Sequence, residues 1–248
     1  MRSTTCRVTL LTLAACATGG PARPPDYAPV LAAPDRLEAD RAIDGGRHPA
    51  ETLAFAGVRP GMRVADLAAG GGYTTEILAR AVAPGGVVFS QNNALLTKLA
   101  GDAWTARLAR PALADVVRVE REFEDPLPPE ATHLDLVVIY ASYHDLVAMK
   151  VDRGRMDRAV FTALKPGGAF VVVDHSARPG SGVEDSPTLH RIDEELVKSE
   201  VQAAGFRLAA EGSFLRNPDD ARDWSTSPRA AGERRGTSDR FALRFLRP

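Results

Sequence analysis

Val64-Ala65-Asp66-Leu67-Ala68-Ala69-Gly70-Gly71-Gly72-Tyr73 is the stretch that decides the fold. A short apolar run carries one acidic residue and leads into a glycine cluster, and an amphipathic segment follows at residues 74–83. A strand, a tight turn and a helix N-terminus require this order, because glycine lets the backbone turn there and come close to a bound ligand. The segment is therefore a candidate nucleotide-type cofactor site.

Working outward, apolar runs recur at residues 63–68, 87–90, 116–119, 134–140, 169–174, 206–210 and 241–246. They are short, often β-branched, and bounded by Gly, Pro or polar residues, which predicts strands. Helical stretches separate them. The clearest spans residues 189–204, where Leu189, Ile192, Leu196, Val197 and Val201 mark one apolar face and Gly205 supplies a stop signal. Strands alternating with helices predict an α/β fold with a mostly parallel sheet covered on both faces. Such sheets bind ligands beyond the carboxyl ends of their strands, so chemistry is expected there.

Asp66-Leu67-Ala68-Ala69-Gly70-Gly71-Gly72 resembles the Asp-x-Gly-x-Gly-x-Gly motif of the class I S-adenosylmethionine-dependent methyltransferases. Residues 58–64 are similar to that family's lead into its first strand, Leu134-Asp135-Leu136-Val137-Val138 to its fourth strand, and Leu164-Lys165-Pro166-Gly167-Gly168-Ala169-Phe170 to its turn into the fifth. The resemblance covers about residues 40–248 and is strongest to bacterial predicted methyltransferases with a signal sequence and a Tyr-His-Asp segment, here Tyr143-His144-Asp145. It implies a Rossmann-like, seven-stranded, mostly parallel sheet with helices on both faces. It also implies S-adenosyl-L-methionine as cofactor and methyl transfer as reaction.

On this resemblance, Gly70 and Gly72 bring the backbone against the methionine portion of the cofactor, while Asp66 orients the loop or accepts from the cofactor's ammonium. Two positions depart from the family pattern. Ala68 replaces the first motif glycine, which is compatible with a site if the residue stays in a β conformation. Asn92 replaces the acid that usually holds the ribose hydroxyls; an amide accepts from a hydroxyl without the strengthening charge. Glu122 and Glu124 are both candidates for the acid the family often places near the adenine.

The same fold puts Tyr140, Tyr143, His144 and Asp145 near the transferred methyl group. Tyr143, His144 and Asp145 are the candidate catalytic residues: His144 titrates near neutral pH and could take a proton from a hydroxyl or amine, with Asp145 orienting it or holding substrate. Tyr140, Asp174 and His175 are candidates for substrate positioning. Asp145, Asp174, His175 and His190 could also supply oxygen and nitrogen ligands to a metal, but their spacing matches no compact motif and no metal is assigned. Residues 215–239 are polar, charged and without periodicity, and read as a lid or a flexible connection between the last two strands. Arg229, Arg234 and Arg235 could attract an anionic substrate there, with a solvated loop as the simpler reading.

The N-terminus reads separately. Residues 1–7 carry Arg2 and Arg7 and no acid, residues 8–15 are briefly apolar, and Leu13-Ala14-Ala15-Cys16 resembles a bacterial lipobox. That resemblance implies a signal peptide over residues 1–15, cleavage before Cys16, a lipid on that cysteine as the sole membrane contact, and a location in the cell envelope facing the periplasm. A cytoplasmic chain with a misassigned start or a loose tail is the alternative. Residues 16–34, with five prolines, read as an extended tether, leaving residues 35–248 as one domain. The net charge of −1 offers no basic stripe for nucleic acid, which points to a small-molecule substrate. Cys6 and Cys16 are the only cysteines, so the domain has neither a disulfide nor a cysteine-rich metal site. An envelope-tethered binding protein that keeps the fold without catalysis is the second functional reading. A nicotinamide oxidoreductase fits less well, because no Tyr-x-x-x-Lys pair is present around Tyr140 or Tyr143.

Overall fold

The computed structural model describes residues 25–248; the leader, Cys16 and the first part of the tether lie outside the described residues. Seven strands form one sheet: β1 (Arg63–Leu67), β2 (Val87–Asn92), β3 (Val116–Glu120), β4 (Leu134–Tyr140), β5 (Leu164–His175), β6 (Arg207–Gly212) and β7 (Arg240–Leu246). Their order is β3-β2-β1-β4-β5-β7-β6, with β7 antiparallel to both of its neighbours and every other pairing parallel. Each strand falls on one of the seven apolar runs.

The helices are α1 (Ala28–Leu31), α2 (Glu38–Arg47), α3 (Pro49–Ala56), α4 (Tyr73–Val82), α5 (Ala94–Ala100), α6 (Asp102–Leu108), α7 (Asp145–Ala148), α8 (Arg153–Ala163), α9 (Ser186–Leu189) and α10 (Glu194–Ala203). Alternation along the strands divides the core into two layers. Ala65, Leu67, Val137, Ile139, Phe170 and Val172 pack with Met156 and Val160 of α8 and Val197 and Val201 of α10. Val64, Leu136, Val138, Val171 and Val173 face the other way, against Leu53 of α3 and Ile77 and Leu78 of α4. Burial on both faces is why these strands read as continuous apolar runs rather than alternating ones.

Two expectations differ from the structure. The helix over residues 189–204 is broken: α9 ends at Leu189, His190 takes a left-handed conformation with φ 53°, and α10 begins only after Asp193, whose side chain accepts from the Glu195 amide. Ile192 reaches the core through an isolated parallel bridge to Ser176, so its apolar character is genuine but its backbone is extended. The tether reading also ends early. Tyr27 is buried, its hydroxyl donates to the Val58 carbonyl at 2.7 Å, and α1 docks beside α3 and α4. Among the described residues, no helix is long and apolar enough to cross a membrane.

Candidate functional site

The carboxyl ends of β1 and β2 build the first half of the site. Chain reversal after β1 needs three left-handed residues, Ala68 (φ 54°), Gly70 (φ 55°) and Gly72 (φ 83°). Ala68 is therefore not in the β conformation its substitution for glycine called for; its methyl group is held in a strained region that glycine would occupy freely. A Cβ added at Gly70 or Gly71 would meet nothing within 4 Å, so the outer side of the loop is open. At Gly72 a Cβ would lie 2.8 Å from Arg107 Cδ, and the protein itself fills that space. Gly70 thus fits a ligand lying along the loop, whereas Gly72 serves packing.

Asn92 has a different task from the expected ribose contact. Its Oδ1 accepts from the Gly70 amide at 2.8 Å and its Nδ2 donates to the Gly70 carbonyl at 3.0 Å, with the residue fully buried. Beside it, Gln91 Oε1 accepts from the Ala68 amide at 3.1 Å and the Gln91 carbonyl from the Ala69 amide at 2.9 Å. The two amide side chains extend the β1–β2 pairing past its end and clasp the loop. An acid at position 92 could not donate to the Gly70 carbonyl.

Asp66 is 1% exposed, which removes direct contact with a cofactor ammonium and leaves the loop-orienting role. Its Oδ2 accepts from the Thr75 hydroxyl at 2.6 Å. Burial pushes its carboxyl up to about 7, with the Thr75 bond pulling the other way. Beneath the loop lies a charge network absent from the expectations. Arg107 donates to the Gly71 carbonyl at 2.7 Å and to Glu76 at 2.6 Å, and it pairs with Asp40 of α2. Glu76 also pairs with Arg80 and Arg110. The Glu76–Arg80 spacing of one helical turn was visible in the sequence; the rest spans elements distant along the chain. At the far edge Glu122 is exposed, with its Oε2 3.5 Å from Asn93 Nδ2, while Glu124 Oε1 accepts from the Asp152 amide.

The ends of β4 and β5 build the second half around a cleft of about 510 Å³. Tyr140, His144, Asp145, His175 and His190 line it, together with Arg47, Arg240 and part of the loop over residues 226–236. Ala141, left-handed at φ 54°, turns the chain out of β4. The next residues part: Tyr143 goes into the core and His144 faces the cleft. Tyr143 is fully buried, with its hydroxyl 3.0 Å from Asp157 Oδ2 on α8 and 3.1 Å from Glu200 Oε2 on α10. This corrects its assignment as catalytic, since it reaches no space a substrate could occupy.

Asp174 is likewise corrected from substrate contact to positioning. Fully buried, it accepts from the His144 amide at 2.8 Å, lies 2.7 Å from His144 Nδ1, and accepts from the His175 amide at 2.7 Å. His144 Nε2 lies 3.2 Å from Asp145 Oδ1, which is also 3.2 Å from His190 Nδ1. Burial alone would lower the His144 pKa, but the Asp174 and Asp145 carboxylates outweigh it and push it up to about 10. Burial would raise Asp145, yet His144 and His190 hold it below the ordinary carboxylate value. At neutral pH, His144 therefore already holds the proton that a general base would have to receive. Burial keeps His175 well below its usual value, and its Nδ1 sits 2.8 Å from the Ser238 hydroxyl.

Arg47 and Arg240 were not anticipated, whereas the loop over residues 226–236 falls within the stretch read as a lid or a flexible connection. The Arg47 guanidinium lies 4.5 Å from the Tyr73 ring centre and 5.1 Å from that of Tyr140, linking the glycine-loop half to the cleft. Arg240 donates to the Tyr140 hydroxyl at 3.0 Å. The connection between β6 and β7 is tied down: Arg191 pairs with Asp220, Arg222 with Asp239, and Thr226 Oγ1 donates to the His190 carbonyl at 2.7 Å. Of the three arginines singled out there, Arg235 lines the cleft, Arg234 lies over the Trp224 ring, and Arg229 is exposed.

No family model matches the chain. A protein of Ectopseudomonas mendocina named ubiquinone/menaquinone biosynthesis C-methyltransferase UbiE is 34% identical over 131 residues, covering 52% of this chain and 48% of the relative. Its namesake from Pectobacterium carotovorum is 28% identical over 175 residues, covering 68% and 65%. The chain thus spans between about half and just under two thirds of these curated relatives. Among solved structures, a SAM-dependent methyltransferase from Aquifex aeolicus matches with a TM-score of 0.60 at 15% identity, covering 90% of this chain and 99% of that one. The fold is that of the class I methyltransferases, with the expected seven-stranded, mostly parallel sheet.

Proposed function

We propose that this chain is an S-adenosylmethionine-dependent methyltransferase whose acceptor is a small molecule bound in the cleft over β4 and β5. The observation that carries the reading is the open outer side of Gly70 and Gly71, in a loop clasped by Asn92 next to the histidine-lined cleft. The likeness to named methyltransferases supports it. The cofactor supplies an electrophilic sulfonium methyl group. The chain's own residues supply alignment, which converts an encounter into a near-unimolecular step. Arg47 and Tyr140 form the wall between cofactor loop and cleft. Asp145, held ionised, receives the hydrogen bond of an acceptor hydroxyl or amine, and His144 is the positioning residue that fixes Asp145.

The relatives' name makes a compound of ubiquinone or menaquinone biosynthesis, methylated at carbon, the first acceptor to assay. Titration calorimetry of S-adenosylmethionine into the protein tests the cofactor reading. The expected result is micromolar binding, about −8 kcal/mol, weakened at least tenfold by Asn92→Ala; no binding to well-folded protein overturns it. Asn92→Asp separates the two roles of this position, because a loop clasp is weakened by the carboxylate and a ribose contact is strengthened by it.

The lipobox reading supports attachment to the cell envelope through Cys16. Cys16→Ala is expected to move the protein out of the membrane fraction, and unchanged fractionation would count against it.

A further inference from the structure

We propose that His144, Asp145 and His190 form a site for one divalent transition-metal ion, Zn²⁺ being the simplest occupant. The inference concerns residues that the proposed function places beside the acceptor, and its test reads ion binding alone, so that it can fail or hold independently of methyl transfer. Asp145 Oδ1 lies 3.2 Å from His144 Nε2 and 3.2 Å from His190 Nδ1, and one ligand atom from each residue falls within 4.8 Å of the others. Donors about 2 Å from a tetrahedral zinc ion stand roughly 3.3 Å from one another, so the cluster has the dimensions of a ligand set with little rearrangement.

The surroundings are those of a built site. Asp174 is fully buried and holds His144 at two points, its ring Nδ1 and its backbone amide, which fixes Nε2 as the nitrogen facing Asp145; a bound ion takes the place of the Nε2 proton, which is released to solvent. A carboxylate behind a ligating imidazole is the usual second support of a metal-bound histidine. The His190 backbone is fixed in turn by Thr226, which bonds its carbonyl, and its ring packs edge-on against His144 at 5.3 Å between centres. The His175 ring also packs edge-on against His144, at 5.8 Å between centres. Two imidazoles and one carboxylate suit zinc, cobalt, nickel or iron. They do not suit calcium, which takes six or more oxygens, or magnesium, which favours octahedral oxygen coordination.

Three protein ligands leave at least one coordination position, and all three residues line the 510 Å³ cleft. The open position would take water or an oxygen of a small hydroxyl or carboxyl compound. The sequence offered no compact ligand motif because the ligands come from the turn after β4 and the end of α9, 45 residues apart.

Cobalt titration of the chelator-stripped full chain tests the proposal. One Co²⁺ per chain should bind, with the visible absorption of a low-coordinate site, and Zn²⁺ should displace it. Asp145→Asn and His190→Gln should each weaken binding at least 100-fold, and Asp174→Asn by about 10–100-fold; His133→Gln, on the far surface, should leave it unchanged. Circular dichroism confirms the fold of each variant, and the partly exposed His190 is the substitution least able to disturb it. Absence of saturable binding, or equal binding by the folded His190 variant, overturns the site and leaves a proton as the only cation the cluster holds.

Discussion

The two halves of the candidate site use polar groups in opposite ways. Around the glycine loop, polar side chains face one another: Asp66 meets Thr75, Asn92 closes on Gly70, and Arg107 ties Gly71 to Asp40 and Glu76. What this half presents outward is shaped backbone. Over β4 and β5, side chains themselves face the cleft, Asp174 holds His144 from behind, and Tyr143 is turned into the core. Binding an invariant group calls for a rigid surface, whereas handling a variable one calls for exposed chemistry. Substitutions in the first half should therefore register chiefly as stability and cofactor affinity.

Arg107→Ala should have the largest effect. It takes the ion-pair partner from the buried Asp40 and one of three cations from Glu76, and is expected to cost about 3–5 kcal/mol in denaturant unfolding. A loss below about 1 kcal/mol would mean that the network is solvated and the contrast between the halves is false. The next effect is pH-dependent. Folding raises the Asp66 pKa from 3.8 to about 7, so the folded state binds this proton more tightly than the unfolded chain. The penalty is absent below about pH 4, grows as pH rises and is complete above about pH 7, on the order of 2–4 kcal/mol. Asp66→Asn should gain on wild type across that window in paired thermal melts; a flat difference would show that ionised Asp66 is accommodated without cost.

Tyr143→Phe should cost about 1–2 kcal/mol through its lost bonds to Asp157 and Glu200, while methyl transfer at saturating substrate stays within twofold. A large fall in turnover without a matching fall in stability would return Tyr143 to the reacting centre. Ala68→Gly should have the smallest effect, a gain of up to about 1 kcal/mol as left-handed strain at φ 54° is relieved, offset in part by unfolded-chain entropy. A clear loss in melting temperature would show that the Ala68 methyl group packs productively.

The fold was legible because it is written locally. Seven apolar runs and one glycine turn mark strands and a helix start wherever they occur, and burial on both faces of the central strands β1, β4 and β5 kept most of their positions apolar. The exception shows the limit of periodicity: Ile192 falls in helical register with Leu196, but Asp193 caps α10 and places Ile192 in a bridge to Ser176. At the site, sequence marked the right neighbourhoods and misjudged several roles. Tyr143 and His144 are adjacent in sequence and face opposite environments because of the turn at Ala141, which no residue type announces. Asn92 looked like a weakened ribose ligand because its two bonds to Gly70, across 22 residues, cannot be seen in one dimension.

By itself the sequence determined the layered α/β sheet, the position of the glycine loop and the segments that meet at the strand ends, because hydrophobic spacing and glycine's conformational freedom act over a few residues. Only the tertiary structure decided which polar groups spend their hydrogen bonds on one another and which remain open to the cleft. That choice depends on distances between chain segments: Asp174 behind His144, Arg107 under Gly71, and Thr226 holding His190 toward Asp145. Burial and pairing set the charge of such groups, and both exist only once the segments have met.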